Sequence, residues 1–182
     1  AAPMVAAAPT APVHVISLSL TEDYAPSWGV WEGTRELVQN WHDGCVEHAA
    51  AGGGSIQWEA LTGRGGGGSG GGGQPEGLQR YEARTASGVA VGTCVYDGTL
   101  RQLLLVNRGA AIERRALLLG TSRKAHAAES IGQFGEGMKV GALALLREGR
   151  AVQMQTRDEQ WAWARREDPA FGVRVLTVEV RP

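Results

Sequence analysis

The sequence predicts an α+β fold, a two-layer α/β sandwich in which a mixed, mostly antiparallel sheet is covered on one face by helices. Three observations predict it. Residues 78–86, 89–96 and 101–106 are β-compatible runs joined by Ser87-Gly88 and Asp97-Gly98, which have hairpin-turn chemistry, so they form an antiparallel meander. A long helical pattern over residues 28–48 precedes them, and an apolar helix follows Gly137. Strands then return: residues 152–157 and 160–166 form a hairpin, and 173–180 form a mostly apolar, buried final strand.

A chain of 182 residues and 19.2 kDa is large enough for a core of its own. Its 18 basic and 19 acidic residues give a net charge of −1, so the chain as a whole carries no polyanion-binding signal. Two cysteines, Cys45 and Cys94, make no disulfide framework and fit a reducing compartment. Every apolar run is too short for a membrane span. The chain opens Ala1-Ala2-Pro3, as expected of a processed form or an excised fragment, without the charged and apolar regions of a secretory signal. A soluble intracellular domain is the expectation.

Residues 1–12 are Ala/Pro-rich and aperiodic, a flexible lead-in to one domain over 13–182. Residues 13–20 form the first strand, ended by Thr21-Glu22-Asp23 and Pro26, and Ser27 can cap the helix that follows. On that helix Glu36, Asn40 and Asp43 share a narrow wedge, because i, i+4 and i+7 lie on one face. Leu37, Val38, Trp41 and Cys45 form the adjoining core-facing wedge, and Arg35, Gln39 and His42 turn to solvent. Gly33 and Gly44 border the polar wedge, although each lowers helix stability by roughly 1 kcal/mol relative to Ala. They make room for a ligand, or the wedge is simply a solvated face.

After Gly52-Gly53-Gly54 and a short strand at 56–60 comes a glycine-rich insertion at 63–77, a linker by composition, either natural or an engineered replacement. It is no phosphate loop, since neither Lys-Ser/Thr nor a helix follows it. Residues 113–119 read as a short helix closed by Gly120, and 121–130 as a polar loop. That loop enters Ile131-Gly132-Gln133-Phe134-Gly135-Glu136-Gly137-Met138-Lys139, a G-x-x-G-x-G run opening into a buried helix that Gly149 ends. Glycines permit close approach by a bulky anion, and a helix start offers unpaired N–H groups to it.

Two elements together carry a resemblance. Glu36-Leu37-Val38-Gln39-Asn40-Trp41-His42-Asp43 is similar to the N box, E-x-x-x-N-x-x-D, of the GHKL (Bergerat-fold) ATPase superfamily. Leu105-Val106-Asn107-Arg108-Gly109-Ala110-Ala111-Ile112 stands where that family's first glycine box, D-x-G-x-G, belongs. Leu119-Gly120-Thr121-Ser122-Arg123-Lys124 and the 131–139 stretch resemble its lid and second glycine box. The resemblance covers about residues 13–180 and is strongest to gyrase/microrchidia-like members and small phage or bacterial relatives.

It implies a Mg-dependent ATP-binding domain. Asn40 would ligate Mg²⁺ through its carboxamide oxygen, and Glu36 would act as general base on the attacking water. Asp43 would hold the nucleotide or its water network. Gly132, Gln133, Phe134, Gly135, Glu136, Gly137 and Met138 would form the phosphate cradle. Lys124 and Lys139 would add positive charge, the plainer reading of each being a solvent-facing lysine. Asn107 and Gly109 stand at the base-reading box, and Thr177 or Thr156 would hold a base-bridging water. Turnover by this chain alone is expected to be slow, with further domains or dimerisation needed for full activity.

The departures are Asn107 in place of the family's aspartate and Ala111 in place of a glycine. An Asn oxygen accepts from the adenine amino group, but its NH₂ would also suit guanine. The alternative function is a degenerate module of the same fold acting in assembly without hydrolysis. Histidine-kinase activity is not expected, because no phospho-accepting helix is present, and a protein kinase is excluded by the order of the glycines. His42, Cys45 and His48 subtend a wide arc and lack a fourth ligand for a metal site, and Trp161 and Trp163, on one strand face, read as core or sheet-surface residues.

Overall fold

The computed structural model describes residues 13–52, 54–61, 77–119 and 136–182. The glycine-rich insertion, Lys124 and the 131–135 part of the glycine box lie outside the described residues, as does the lead-in. The fold is α+β, with two four-stranded sheets and two helices among the described residues. The expected single sheet is thus two, and every strand pair among the described residues is antiparallel. Two compact units result. One comprises the described parts of Ala1–Thr34, Ile112–Thr121 and Glu136–Pro182, the other those of Arg35–Ala111.

The first unit holds sheet A, in the order β1 (His14–Thr21), β8 (Val173–Arg181), β7 (Glu159–Asp168), β6 (Gln153–Thr156). The register aligns Ile16, Val178 and Trp163 in one row and His14, Val180, Trp161 and Met154 in the next. Trp161, Trp163, Leu176, Val178 and Val180 are buried, which places the two tryptophans in the core rather than on the sheet surface. Burying each such side chain stabilises by about 1.5–3 kcal/mol. Between Ser17 and Thr21 the register slips, with Ser19 at φ 55°, while Leu18 and Leu20, two residues apart, share the inward face. Helix α2 (Gly137–Arg147) is buried from Met138 to Leu145. The short helix expected at 113–119 is a 3-10 turn, Arg114–Leu117.

The second unit holds sheet B, the predicted meander in sequence order: β2 (Ile56–Ala60), β3 (Leu78–Thr85), β4 (Ala90–Asp97), β5 (Gln102–Asn107). Helix α1 (Val30–Ala51) starts in the first unit, and its residues from Arg35 onward belong to the second. It begins two residues after the expected start, and the carboxylate of Glu32 accepts from the Gly29 N–H at 2.9 Å. Trp41, Cys45, Ala83 and Val91 form the core here, with Val38, Ile56, Cys94 and Leu105 packed against it. No described helix is long and apolar enough to cross a membrane.

Candidate functional site

The N-box residues occupy consecutive turns of α1. Asn40 Nδ2 donates to the Glu36 carbonyl at 2.8 Å, a back-bond that fixes the amide and turns Oδ1 the other way. Glu36 is largely buried, 14% exposed, and its Oε1 accepts from Arg35 Nη2 at 2.9 Å, which leaves Oε2 to accept from a water. Asp43 is buried, with Oδ1 3.3 Å from His42 Nδ1. His42 does not simply face solvent: its ring stacks on Trp58, centroids 4.8 Å apart and planes 13° apart, and Trp58 in turn lies 5.4 Å from Trp41. That contact joins the edge strand β2 to α1.

Asn107 ends β5 and reaches α1. The strand register puts Trp58, Ala83, Gly92 and Asn107 in one row across sheet B. From that row Asn107 Nδ2 donates to the Trp41 carbonyl at 2.8 Å and to Cys45 Sγ at 3.2 Å, while Trp41 Nε1 donates to the Val106 carbonyl at 3.0 Å. Burial pushes the Cys45 thiol up to about 11, against the lowering effect of the Asn107 hydrogen bond, and burial raises Cys94 as well. Neither is a thiolate nucleophile at neutral pH. Gly109 at φ 72° lies so close to His48 that a Cβ would stand 2.5 Å from its ring. Among the described residues no group of three or more His, Cys, Asp or Glu is placed to hold a metal.

The two glycines beside the polar wedge serve packing. A Cβ at Gly33 would lie 2.7 Å from the Gly141 carbonyl of α2, and one at Gly44 would lie 3.0 Å from Asn107 Nδ2. What fills the space is helix backbone in one case and a side-chain amide in the other. No family model, curated protein or solved structure matches this chain.

The remaining candidates that the structure describes belong to the first unit. Glu136, Gly137, Met138 and Lys139 form the N-terminal end of α2. Lys139 is not a solvent-facing lysine: it is completely buried, and its Nζ donates to the Leu118 carbonyl at 2.5 Å. Burial pulls its ammonium below the ordinary value, and Glu136 partly restores it. The signal was local, since Lys139 stands inside the apolar run Met138–Leu145. Thr177 is buried in β8 and donates to the Ala164 carbonyl at 3.3 Å. Thr156 pins the backbone of Ile112 twice, accepting from its N–H and donating to its carbonyl, each at 2.9 Å.

Proposed function

We propose that the chain is a Mg²⁺-dependent ATP-binding domain of the GHKL type, with slow hydrolysis that further domains or dimerisation would raise. The observation that carries this reading is the Asn40–Glu36 pair on one face of α1. The back-bond from Asn40 Nδ2 holds the carboxamide oxygen in a fixed direction. A single hard oxygen of this kind suits Mg²⁺, which keeps most of its waters and takes the rest of its shell from phosphates. Bound magnesium would neutralise phosphate charge. Glu36 Oε2 would orient and deprotonate the attacking water.

Asn107 bears on the base. With Nδ2 engaged by Trp41 and Cys45, its remaining edge is the acceptor Oδ1. An acceptor suits the adenine amino group, and with Nδ2 engaged the amide has no donor for guanine O6, although guanine N1–H can still donate to Oδ1. The same bonds favour a second reading, a non-hydrolysing assembly module, because they make Asn107 part of the seat of α1.

Thermal-shift titration of the wild type and Asn40→Ala with ATP, ADP, GTP or a non-hydrolysable ATP analogue, with and without Mg²⁺, tests the reading. Ligand at 100 times its Kd stabilises by about 2.7 kcal/mol. The expected outcome is a Mg²⁺-dependent rise with adenine nucleotides, lost in Asn40→Ala, and slow hydrolysis abolished in Glu36→Ala. A rise with GTP alone overturns the base assignment. No rise with any nucleotide overturns the reading in favour of the assembly module.

A further inference from the structure

The turn between β7 and β8 presents an apolar side chain from a fixed frame. Asp168 organises it: Oδ1 accepts from the Ala170 N–H at 2.9 Å, and the carbonyl accepts from the Phe171 N–H at 3.2 Å and the Gly172 N–H at 2.8 Å. Pro169 fixes one φ in this frame, and Gly172 takes φ 64°, which glycine adopts without strain. Phe171 stands at the tip, 77% exposed, the largest fraction among the large apolar side chains of the described residues. Val173, also exposed, opens the strand after it. A ring held on a bonded turn loses little freedom on binding, which is what an interface anchor requires.

The same unit carries a groove between β1 and the 3-10 turn. Its volume is about 480 Å³, and Ile16, Leu18, Leu117, Leu118 and Leu119 give it an apolar lining. Leu118 and Leu119 are largely in solvent, so the groove is open on their side. Arg114 and Arg115 complete the wall; they pair with Glu159 and Glu113, and each keeps a large part of its side chain exposed. Arg157, 3.9 Å from Glu113, leaves the cations in excess there. The turn has the opposite balance. Glu167 and Asp168 lead into it, and the bond from the Glu22 N–H to the Arg174 carbonyl brings Glu22 and Asp23 alongside. Arg165 and Arg174 are their counter-ions, while Arg166 is taken up by Glu179.

We infer that Phe171 of one copy of this chain seats in the β1 groove of a second copy. An apolar anchor meets an apolar groove, and the acidic turn meets the basic wall, so charge complementarity names the occupant. Within its own chain Phe171 fills no groove, as its exposure shows. A groove of this size takes more than one side chain, and Phe171 with Val173 supplies two. The contact joins two different patches. A copy keeping only the turn therefore still fits a copy keeping only the groove. The inference is independent of nucleotide binding.

The test is sedimentation velocity of the full chain without nucleotide, from micromolar to near-millimolar concentration, for the wild type, Phe171→Ser and Leu118→Glu. Both side chains are exposed, and Leu118→Glu keeps the carbonyl that Lys139 bonds, so both variants are expected to fold, which far-UV circular dichroism checks. The wild-type mass is expected to rise above 19.2 kDa with concentration. Each variant alone is expected to lose at least about thirtyfold in self-affinity, the scale of a removed anchor. An equimolar mixture of the two is expected to associate again, because the groove of one takes the Phe171 of the other. Wild-type protein that stays monomeric overturns the inference. So does self-association that survives in either variant, and so do two variants that stay monomeric when mixed.

Discussion

Helix α2 in the first unit is buried from Met138 to Leu145 and bonded at its two ends by cations, Lys139 to one carbonyl and Arg147 to four. Residues 35–51 of α1 in the second unit lie on sheet B over a neutral amide and two missing side chains, those of Gly44 and Gly92. The difference follows from the sequence of each helix. Burial of α2 from Met138 to Leu145 leaves the Lys139 ammonium no water to bond, so it takes a backbone carbonyl instead. Helix α1 keeps a polar wedge, and what its buried face needs is closeness, so that Trp41 Nε1 and the Asn107 amide reach across to their carbonyls.

The sharpest way to break this comparison is Gly92→Ala. The new Cβ would stand 2.2 Å from Cys45 Sγ and 3.3 Å from Ala83 Cβ. Overpacking of a buried site at that distance is expected to destabilise by about 3 kcal/mol, read as a lower urea midpoint. Adding Cys45→Ala removes the sulfur and should recover most of the loss, a non-additivity that a double-mutant cycle measures. If Gly92→Ala melts like the wild type, close approach is not what seats α1.

A smaller effect is expected from Asn107→Asp. It removes the donor to the Trp41 carbonyl and sets a carboxylate oxygen against it. The expected loss is about 1–2 kcal/mol in urea unfolding, since a buried acceptor loses its partner. Equal stability would show that the amide is not a structural bond, and the contrast with the cation-held helix would weaken.

The smallest effect belongs to Lys139→Met. The thioether fills similar space and removes a buried ammonium, while the Leu118 carbonyl loses its donor. Relief of desolvation and loss of the bond oppose each other, so the change at neutral pH is expected to stay under about 1 kcal/mol. The pH dependence is more telling. The folded-state value of Lys139 is below the ordinary 10.5, so above it the unfolded chain binds more protons. Stability contributed by this group therefore rises with pH from the lowered value toward 10.5. Thermal midpoints across that range should show the rise in the wild type and lack it in Lys139→Met.

Local pattern made much of this fold legible. The Ser87-Gly88 and Asp97-Gly98 turns set β3, β4 and β5 to within a residue or two, whereas a shared strand face left Trp161 and Trp163 open between core and sheet surface, and the structure buries both. Division into two sheets was not legible, because the pairing of β1 with β8 joins residues far apart in sequence and leaves no local mark. At the site, the E-x-x-x-N spacing put Glu36 and Asn40 on one face as read, since helix periodicity alone decides that. Gly33 and Gly44 were ambiguous for a physical reason: an absent side chain looks the same whether a ligand or a neighbouring backbone fills the space. Arg147 was invisible, because carbonyl partners belong to every residue type and leave no trace in the side chains of the loop they come from.

The slip in β1 has a consequence for self-association. Among the described residues β1 is an edge of sheet A, and such an edge offers its N–H and C=O groups to any extended chain. With Ser19 turned to φ 55° and the register broken between Ser17 and Thr21, the outer rim does not continue as a straight ladder. A strand arriving from another molecule could match the first residues of β1 and would then meet a kink it cannot follow. The distortion in β1 thereby blunts the edge against templated fibre growth.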